Sequence, residues 1–273
     1  MTEPAPFGAF APSPFRARLM AMAARFGQGW LSRRLAFAVR RLARRGLAGP
    51  VDVERFGARL RLQPSGNVAE KRILFTPQYF DPRERALLAD RVRPDWVFID
   101  IGANIGAYSL IVAALGAARV IAVEPQPAVL ARLRANIGFN PQFPIVVEPV
   151  ALTDRTGVIR LAIDARNEGE ASIVKAGGEG VEVACDTLAG RGARHGLSRS
   201  DALKIDVEGA EELVLRPFFA TAGRSLWPRL IILERGEKAW AGDLLGDILA
   251  MGYVREAETR MNHVLVLAPG ERR

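Results

Sequence analysis

The stretch VFIDIGANIGAYSLIVAALG, residues 97–116, constrains the fold of this chain more than any other segment. An apolar, β-branched run ends in Asp100, the chain passes Gly102 and Gly106, and an amphipathic helical pattern follows. A buried strand that turns through glycines into a helix is typical of a doubly wound α/β sheet. Ligands of such sheets bind beyond the carboxyl ends of the strands, where the helix N-termini point.

The same strand–helix alternation continues to the end of the chain and predicts a parallel sheet with helices on both faces. The predicted strands are at residues 97–101, 119–123, 144–150, 202–206, 229–234, 252–256 and 263–267. The predicted helices are near residues 104–115, 126–138, 209–219 and 240–250. Short strands at about residues 157–184 form a small β insertion. The predicted fold class is α/β, a doubly wound, Rossmann-like sheet of seven mainly parallel strands.

Two segments precede this core. Residues 1–50 are predicted to be a basic amphipathic N-terminal helical arm, partly disordered, and residues 51–273 to be the main domain. Within that domain, residues 51–95 are predicted to form a lead-in hairpin and a helix that begins at Asp81. The core follows over residues 96–273.

The N-terminal arm carries the whole net charge of the chain, which is +8. Residues 1–50 contain nine arginines, no lysine and a single acid, Glu3, whereas the rest of the chain has 29 basic and 29 acidic residues. The first 14 residues are rich in proline and small side chains, which predicts disordered or extended chain. Apolar residues at helical spacing begin at Phe15 and resume after the interruption FGQGW, up to Arg45.

Three roles fit a basic amphipathic segment at residues 15–45. It could lie on an anionic membrane surface, bind the phosphates of a nucleic acid, or pack its apolar stripe on the domain and leave its arginines in solvent. The neutral body shows no basic stripe with interleaved aromatics, which disfavours nucleic acid. Packing and membrane contact remain the leading interpretations. The apolar stripe of the second helix is Leu31, Leu35, Val39 and Leu42.

The glycine turn excludes two common ligand classes. A dinucleotide fingerprint needs glycines at positions 102, 104 and 107, but the chain has Gly102, Asn104 and Ala107. A Walker-type phosphate loop needs Gly-Lys followed by Ser or Thr, and residues 107–109 are Ala-Tyr-Ser. What remains is acid-x-Gly-x-x-x-Gly, the spacing of class I S-adenosylmethionine-dependent methyltransferases.

The chemistry of that cofactor suits the turn. Its methionine end is a zwitterion, whose carboxylate fits backbone N–H groups and whose ammonium fits an acid such as Asp100. Glycines let the backbone approach the ligand closely. The second strand, RVIAVEP, ends in Glu124, whose carboxylate can accept both ribose hydroxyls. The predicted cofactor-binding residues are Asp100, Gly102, Asn104, Gly106 and Glu124.

The sequence resembles the FkbM-type family of class I methyltransferases from about residue 80 to residue 234, and more weakly to the C-terminus. The resemblance rests on FIDIGANIGAYS, VIAVEPQPAVLARLRANIGFN, VALTDRTGVIRL and, most specifically, LKIDVEGAEELVLR. It implies a cytoplasmic O-methyltransferase that acts on hydroxyls of sugars, polyketides or similar metabolites. The family usually has Thr-Leu-Asp before the KIDVEG strand, whereas this chain has Cys185-Asp186-Thr187-Leu188, which displaces Asp186 by one position.

The block LKIDVEGAEELVLR puts Asp206 and Glu208 at the carboxyl end of the fourth strand, beside the cofactor cleft. A protonated hydroxyl is a poor nucleophile, so a nearby base is expected to accelerate methyl transfer by about 10²–10⁴-fold. Asp206 and Glu208 are the candidates for that base. Lys204 either steadies the developing alkoxide or pairs with a carboxylate. Glu234, at the end of the fifth strand, serves acceptor recognition or a structural ion pair.

No metal is predicted. Asp206 and Glu208 could hold magnesium, but the sequence shows no third ligand beside them. There is no cluster of His and Cys with zinc spacing. His195, in a glycine-rich loop, is expected to be solvated more readily than to act as a base, and His263 to be a packing or edge residue of the last strand.

The leading functional hypothesis is an S-adenosylmethionine-dependent O-methyltransferase acting on a sugar, a glycan or another small metabolite. One alternative is an RNA methyltransferase that binds phosphates through its arginine-rich arm. Another is a non-catalytic module that binds the cofactor. No apolar run is long enough to span a membrane, and Cys185 is the only cysteine. A cytoplasmic location is therefore predicted, peripheral at the inner face of the membrane if the arm contacts lipid.

Overall fold

The structure, a computed structural model, describes residues 5–65, 68–163, 171–173 and 180–268 of the chain. Its N-terminal part consists of two helices, a hairpin and two further helices, of which only the third helix is absent from the sequence prediction. These elements are α1 (Pro14–Ala24), α2 (Trp30–Arg44), β1 (Val51–Arg55), β2 (Ala58–Leu62), α3 (Val68–Phe75) and α4 (Pro82–Arg91). None of the described helices combines the length and the apolarity needed to cross a bilayer.

Residues 5–13 correct the prediction of disordered or extended chain, because this segment folds onto the β1–β2 hairpin. The Asp52 carboxylate accepts the N–H groups of Gly8 at 2.8 Å and Phe10 at 3.1 Å. The Arg61 guanidinium donates to two carbonyl oxygens of the segment, each at 2.8 Å. The hairpin therefore supplies hydrogen-bond partners for backbone groups that a proline-rich segment cannot pair within itself.

Helix α2 packs on the domain through small residues and, of the predicted apolar stripe, only through Val39. Ala36 and Ala43 are buried, and Val39 is half-buried. The stripe residues left exposed are Leu31, Leu35 and Leu42. Alanines let the helix lie close to its neighbours, and the larger leucines next to them are then turned toward solvent.

The remaining elements match the predicted alternation closely. The strands are β3 (Val97–Ile101), β4 (Arg119–Val123), β5 (Ile145–Glu148), β6 (Ala151–Leu152), β7 (Gly157–Ile163), β8 (Ala171–Ile173), β9 (Val181–Asp186), β10 (Ala202–Ile205), β11 (Leu230–Glu234), β12 (Tyr253–Glu258) and β13 (Asn262–Leu267). The helices are α5 (Ala107–Ala114), α6 (Pro127–Gly138), α7 (Leu188–Arg194), α8 (Glu211–Thr221) and α9 (Leu244–Ala250).

The main sheet has seven strands in the order β12-β13-β11-β10-β3-β4-β5, as predicted in number and type. Only β13 runs antiparallel to its neighbours. The chain proceeds from β3 outward through β4 to β5 and then returns to β10, on the other side of β3. This reversal of direction creates a crevice at the carboxyl ends of β3 and β10, which is where doubly wound sheets bind ligands.

The predicted β insertion forms a second sheet of four strands, in the order β6-β9-β7-β8. Strands β7 and β9 pair antiparallel, and β6 runs parallel to β9. The prediction of short strands is confirmed for the described part of the insertion, and residues 164–170 and 174–179 lie outside it.

Three helices begin later than predicted: α9 begins at Leu244, and positive-φ residues precede the other two. Asn104 (φ +52°) and Gly106 (φ +89°) keep the chain out of the right-handed helical region, so α5 begins at Ala107. Glu208 (φ +54°) and Gly209 (φ +93°) do the same before α8. Both turns lie at carboxyl ends of strands beside the crevice.

We expect Gly102→Ala to destabilise the protein by about 3 kcal/mol or more, because strain and a clash combine. Gly102 has φ +74°, and a Cβ there would lie 1.9 Å from the backbone oxygen of Asp206. Gly116→Ala is the matched control, since Gly116 has φ +97° but open space around its Cα. Chemical denaturation should show a loss of about 1–2 kcal/mol for the control. Equal losses for both variants would contradict the close approach of the two turns.

Candidate active site

A cleft of about 510 Å³ opens at the carboxyl ends of the central strands. This volume lies within the usual range for sites that bind small molecules and cofactors. Carboxylates that end four strands line it: Asp100 at the end of β3, Glu124 after β4, Asp206 after β10 and Glu234 at the end of β11. The parallel sheet therefore brings together residues that are up to 134 positions apart in the sequence.

Asp100 is buried and has one oxygen free to receive a ligand. Its Oδ2 accepts the Ser109 hydroxyl at 2.6 Å, whereas its Oδ1 has no hydrogen-bond partner among the described residues. Burial raises the pKa of Asp100, although Lys204, its neighbour in register on β10, acts in the opposite direction. A buried carboxylate oxygen without a donor suits a cationic group such as an ammonium.

Glu124 is held in place by the backbone of the glycine turn. The N–H of Asn104 donates to Oε2 and the N–H of Gln126 donates to Oε1, both at 2.9 Å. Burial raises the pKa of Glu124 to about 7, against the two backbone hydrogen bonds that favour its charged form. The left-handed conformation of Asn104 is what aims its N–H at the carboxylate. The geometry therefore presents the remaining lone pairs of Glu124 to the cleft.

We expect affinity for S-adenosylhomocysteine to be constant above pH 7 and to fall about tenfold per pH unit below it. Hydroxyl donors stabilise the carboxylate of Glu124, so binding must first remove a proton wherever the free protein holds one there. With a pKa of about 7 in the free protein, that cost begins as the pH drops through 7. Calorimetric titration between pH 5.5 and 8.5 measures the profile, and a flat profile would exclude Glu124 as the acceptor of the ribose hydroxyls.

Lys204, Asp206 and Glu234 form a connected group on β10 and β11. The Lys204 ammonium lies 2.9 Å from Oδ2 of Asp206. Burial alone would raise the pKa of Asp206, but Lys204 lowers it, so Asp206 is a carboxylate at neutral pH. Burial and the neighbouring Asp206 raise the pKa of Glu234 to about 9, so its carboxyl group is protonated and can donate a hydrogen bond to Asp206.

Glu208 joins this group, and Glu234 is the third carboxylate that the sequence did not place beside Asp206 and Glu208. One carboxylate oxygen from each of Asp206, Glu208 and Glu234 lies within 4.8 Å of the others. Three carboxylates at such distances can hold a divalent cation. Asp206, however, already has a cationic partner in the Lys204 ammonium. The sequence prediction that no metal takes part stays a prediction.

The cleft also contains residues that the sequence reasoning missed. Asp81, predicted only as a helix start, accepts the Tyr108 hydroxyl at 2.9 Å, and burial raises the pKa of Asp81. The Tyr108 ring lies under the Lys204 ammonium, 5.1 Å from ring centre to nitrogen. Arg72 and Arg260 line the same cleft. Asp81 precedes a proline and therefore looks like a helix cap in the sequence. No local sequence signal indicates that it contacts the distant Tyr108.

Three other predicted candidates lie outside the cleft. His195 is not a solvated loop residue, because it ends α7 and its Nε2 lies 2.7 Å from Glu148 Oε1. His263 is buried in β13, an inner strand, so it is a packing residue and not an edge residue. The Asp186 carboxylate accepts the Thr156 hydroxyl at 2.8 Å, outside the residues that line the cleft.

The family model of the methyltransferase FkbM domain matches residues 100–259, which is more than half of the chain. The chain belongs to the FkbM methyltransferase family. Its membership confirms the resemblance and makes it an S-adenosylmethionine-dependent methyltransferase, whereas the acceptor does not follow from it. The matched range contains both glycine turns and all four strand-end carboxylates of the cleft.

The FkbM chain is also similar to a curated protein, the AMB antimetabolite synthetase AmbE of Pseudomonas aeruginosa, at 32% identity over 204 residues. The match covers 57% of this chain and 9% of the synthetase, so the chain spans about a tenth of that relative. Two solved structures are similar in part. A SAM-dependent methyltransferase of Agrobacterium tumefaciens has a TM-score of 0.45 and 13% identity, covering 82% of this chain and 70% of that one. TYW2 of M. jannaschii, solved with AdoMet, has a TM-score of 0.42 and 12% identity, covering 81% and 85%.

Proposed function

We propose that this protein transfers the methyl group of S-adenosylmethionine to a hydroxyl of a sugar, a glycan or another small metabolite. One observation carries the proposal. The Asp206 carboxylate, 2.9 Å from the Lys204 ammonium, lines the same cleft as Asp100 and Glu124, the carboxylates suited to the two ends of the cofactor. This arrangement supports Asp206 as the proton acceptor of the reaction.

The residues of the cleft fit the cofactor at three points. The free Oδ1 of Asp100 would accept the methionine ammonium, and Glu124 would accept the ribose hydroxyls. The turn at Gly102 and Asn104 offers its backbone to the methionine end of the cofactor. When bound, the cofactor supplies an electrophilic methyl group on a sulfonium.

The reaction then needs only positioning and one proton transfer. Asp206 would accept the proton of the acceptor hydroxyl, and the bound cofactor would supply the methyl group and leave as S-adenosylhomocysteine. Protonated Glu234 orients Asp206 through a hydrogen bond, and the Lys204 ammonium offsets the negative charge on the developing alkoxide. Such a base contributes about 10²–10⁴-fold, and orientation of the two reactants contributes the rest.

The walls of the cleft favour a polar acceptor of modest size. Asp81, Glu208, Arg72 and Arg260 place hydrogen-bonding groups around its mouth, which suits a molecule with several hydroxyls. Apolar walls come from Leu152 and Leu161 of the β insertion. We infer that the insertion takes part in the choice of acceptor.

The test is transfer of a labelled methyl group from S-adenosylmethionine to fractionated polar metabolites, glycans and lipids. Label in a base-stable product of a hydroxyl-rich fraction, made together with S-adenosylhomocysteine, supports the proposal. Label in an RNA fraction would move the assignment to RNA methylation. Binding of S-adenosylhomocysteine without label in any fraction would leave a cofactor-binding module.

A further inference from the structure

The outer face of α2 combines exposed apolar side chains with arginines. Trp30, Leu31, Leu35, Phe37 and Leu42 are between 44% and 70% exposed. The arginines of the helix and its end alternate with them. They are Arg33, Arg34, Arg40, Arg41, Arg44 and Arg45. This set of eleven residues is referred to below as the arm surface.

Among the residues that the structure describes, no carboxylate pairs with the arginines of the arm surface. Within the described part of the chain, none of them lies within 4 Å of an acidic side chain. Burial lowers the pKa of Arg40, and the neighbouring cations Arg44 and Arg72 lower it further. Because the rest of the chain is neutral, the net positive charge of the protein resides in residues 1–50, which include the arm surface.

A groove between α2 and the chain at Pro64 gathers four of these arginines. It is lined by Phe37, Ala38, Arg40, Arg41, Leu42, Arg44, Arg45, Leu47, Pro64 and Ser65. Guanidinium groups bind phosphate through paired hydrogen bonds, and the apolar residues at the same site suit an acyl chain. The lining of the groove therefore fits an anionic amphiphile, with a phosphate at one end and hydrocarbon at the other.

We propose that the arm surface docks on a membrane that contains anionic phospholipid. Charge complementarity selects this partner from the alternatives. A second copy of the chain would bring arginines against arginines, and RNA would leave Leu31, Leu35 and Leu42 in water. A lipid interface satisfies both halves of the surface at once, since headgroups pair with the arginines while the leucines and Trp30 enter the acyl boundary.

The geometry explains why these side chains are exposed at all. The helix is already held on the domain by Ala36 and Ala43, and the Tyr79 hydroxyl donates to the carbonyl of Gly27 at 2.8 Å. The leucines are thus not needed for the attachment of α2. A helix fastened through alanines, with its larger apolar residues outward, is positioned to bind a further partner without detaching.

Vesicle flotation of the full chain tests the proposal, at about 0.15 M salt, where exposed charges are screened over about 8 Å. The probes are vesicles of phosphatidylcholine alone and of phosphatidylcholine with about 30% phosphatidylglycerol. We expect partition to the anionic vesicles to be at least about 100-fold stronger. The variant Arg41→Gln/Arg44→Gln/Arg45→Gln should lose about 100-fold of that partition, and Leu31→Ser/Leu35→Ser/Leu42→Ser about tenfold or more.

The matched control removes the same charge elsewhere. Arg83→Gln/Arg134→Gln/Arg229→Gln replaces three exposed arginines of the body and should keep its partition within about threefold of the original chain. Circular dichroism melts verify that all variants are folded. Equal partition to both vesicles, or equal loss in the arm and control variants, would overturn the proposal.

Two further measurements distinguish membrane docking from RNA binding and from self-association. Fluorescence anisotropy with an unstructured RNA and sedimentation at several protein concentrations are run on the same variants. The proposal would be overturned if the chain did not bind anionic vesicles but bound RNA, or associated with itself, through the arm surface. The partner would then be RNA or a second copy of the chain. Membrane docking does not depend on the identity of the methyl acceptor. Failure of the methyl-transfer assay would therefore not contradict it.

Discussion

Replacing Asp206 by asparagine is expected to lower methyl transfer by about 10²–10⁴-fold. The amide cannot accept the proton of the acceptor hydroxyl, whereas the carboxylate that Lys204 stabilises can. Affinity for S-adenosylhomocysteine should change by less than about threefold, because the contacts proposed for the cofactor are with Asp100, Glu124 and the glycine turn and not with the Asp206 side chain. Rates are measured with labelled cofactor on whichever acceptor fraction takes up the methyl group, and affinity by calorimetry.

Glu234→Gln is the informative comparison for Asp206→Asn. The pKa of about 9 means that Glu234 is neutral at pH 7, so an amide reproduces its hydrogen bond to Asp206. We therefore expect Glu234→Gln to keep methyl transfer within about tenfold of the original rate, far above Asp206→Asn. If the two variants lost activity equally, Asp206 would not be the specific proton acceptor, and the carboxylates would act as one unit.

Replacing Glu124 by alanine is expected to weaken binding of S-adenosylhomocysteine by about 100-fold or more. Two hydrogen bonds from ribose hydroxyls to a charged acceptor are lost together, each worth about 1.5–3 kcal/mol. The N–H groups of Asn104 and Gln126 also lose their partner, which loosens the turn that is proposed to bind the methionine end of the cofactor. Calorimetric titration measures the loss, with NADH as a ligand that neither protein should bind.

Glu148→Ala is the matched control for Glu124→Ala. Glu148 ends the neighbouring strand β5, but its carboxylate pairs with Arg191 and His195 and does not line the cleft. The control should bind S-adenosylhomocysteine within about threefold of the original chain. Comparable losses in both variants would mean that Glu124 acts through the stability of the sheet edge and not as a ligand.

The sequence was sufficient to predict the seven-stranded sheet, its mainly parallel type and the cofactor turn. The five inner strands are buried on both faces and are therefore mostly apolar runs, so they were visible without knowledge of their neighbours. The turn was visible because Gly102 and Gly106 adopt φ values that other residues rarely adopt. Asp100 and Glu124 follow apolar runs directly, and the carboxyl ends of parallel strands share one edge of a sheet, so the two carboxylates were expected at the same edge.

Contacts between distant elements could not be predicted in this way. The pairing of Asp206 with Glu234 depends on β10 and β11 being adjacent and in register. The hydrogen bond between Asp81 and Tyr108 depends on the approach of α4 to α5. Likewise, the sequence left open whether the leucines of the arm are buried on the domain or exposed. They are exposed because Ala36 and Ala43 form the buried side of the helix. Periodicity tells which residues share a face of a helix, but not which of two faces the rest of the protein covers.

The sequence by itself therefore determined local features, namely the strands, the glycine turn and the carboxylates at the strand ends. Each of these depends on the backbone conformation and the burial of only a few consecutive residues. The tertiary structure alone decided the protonation of Glu234, the charge of Asp206 and the exposure of the arm surface. The physical reason is that a pKa and a solvent-exposed area depend on neighbours in space, brought together by strands and helices far apart along the chain.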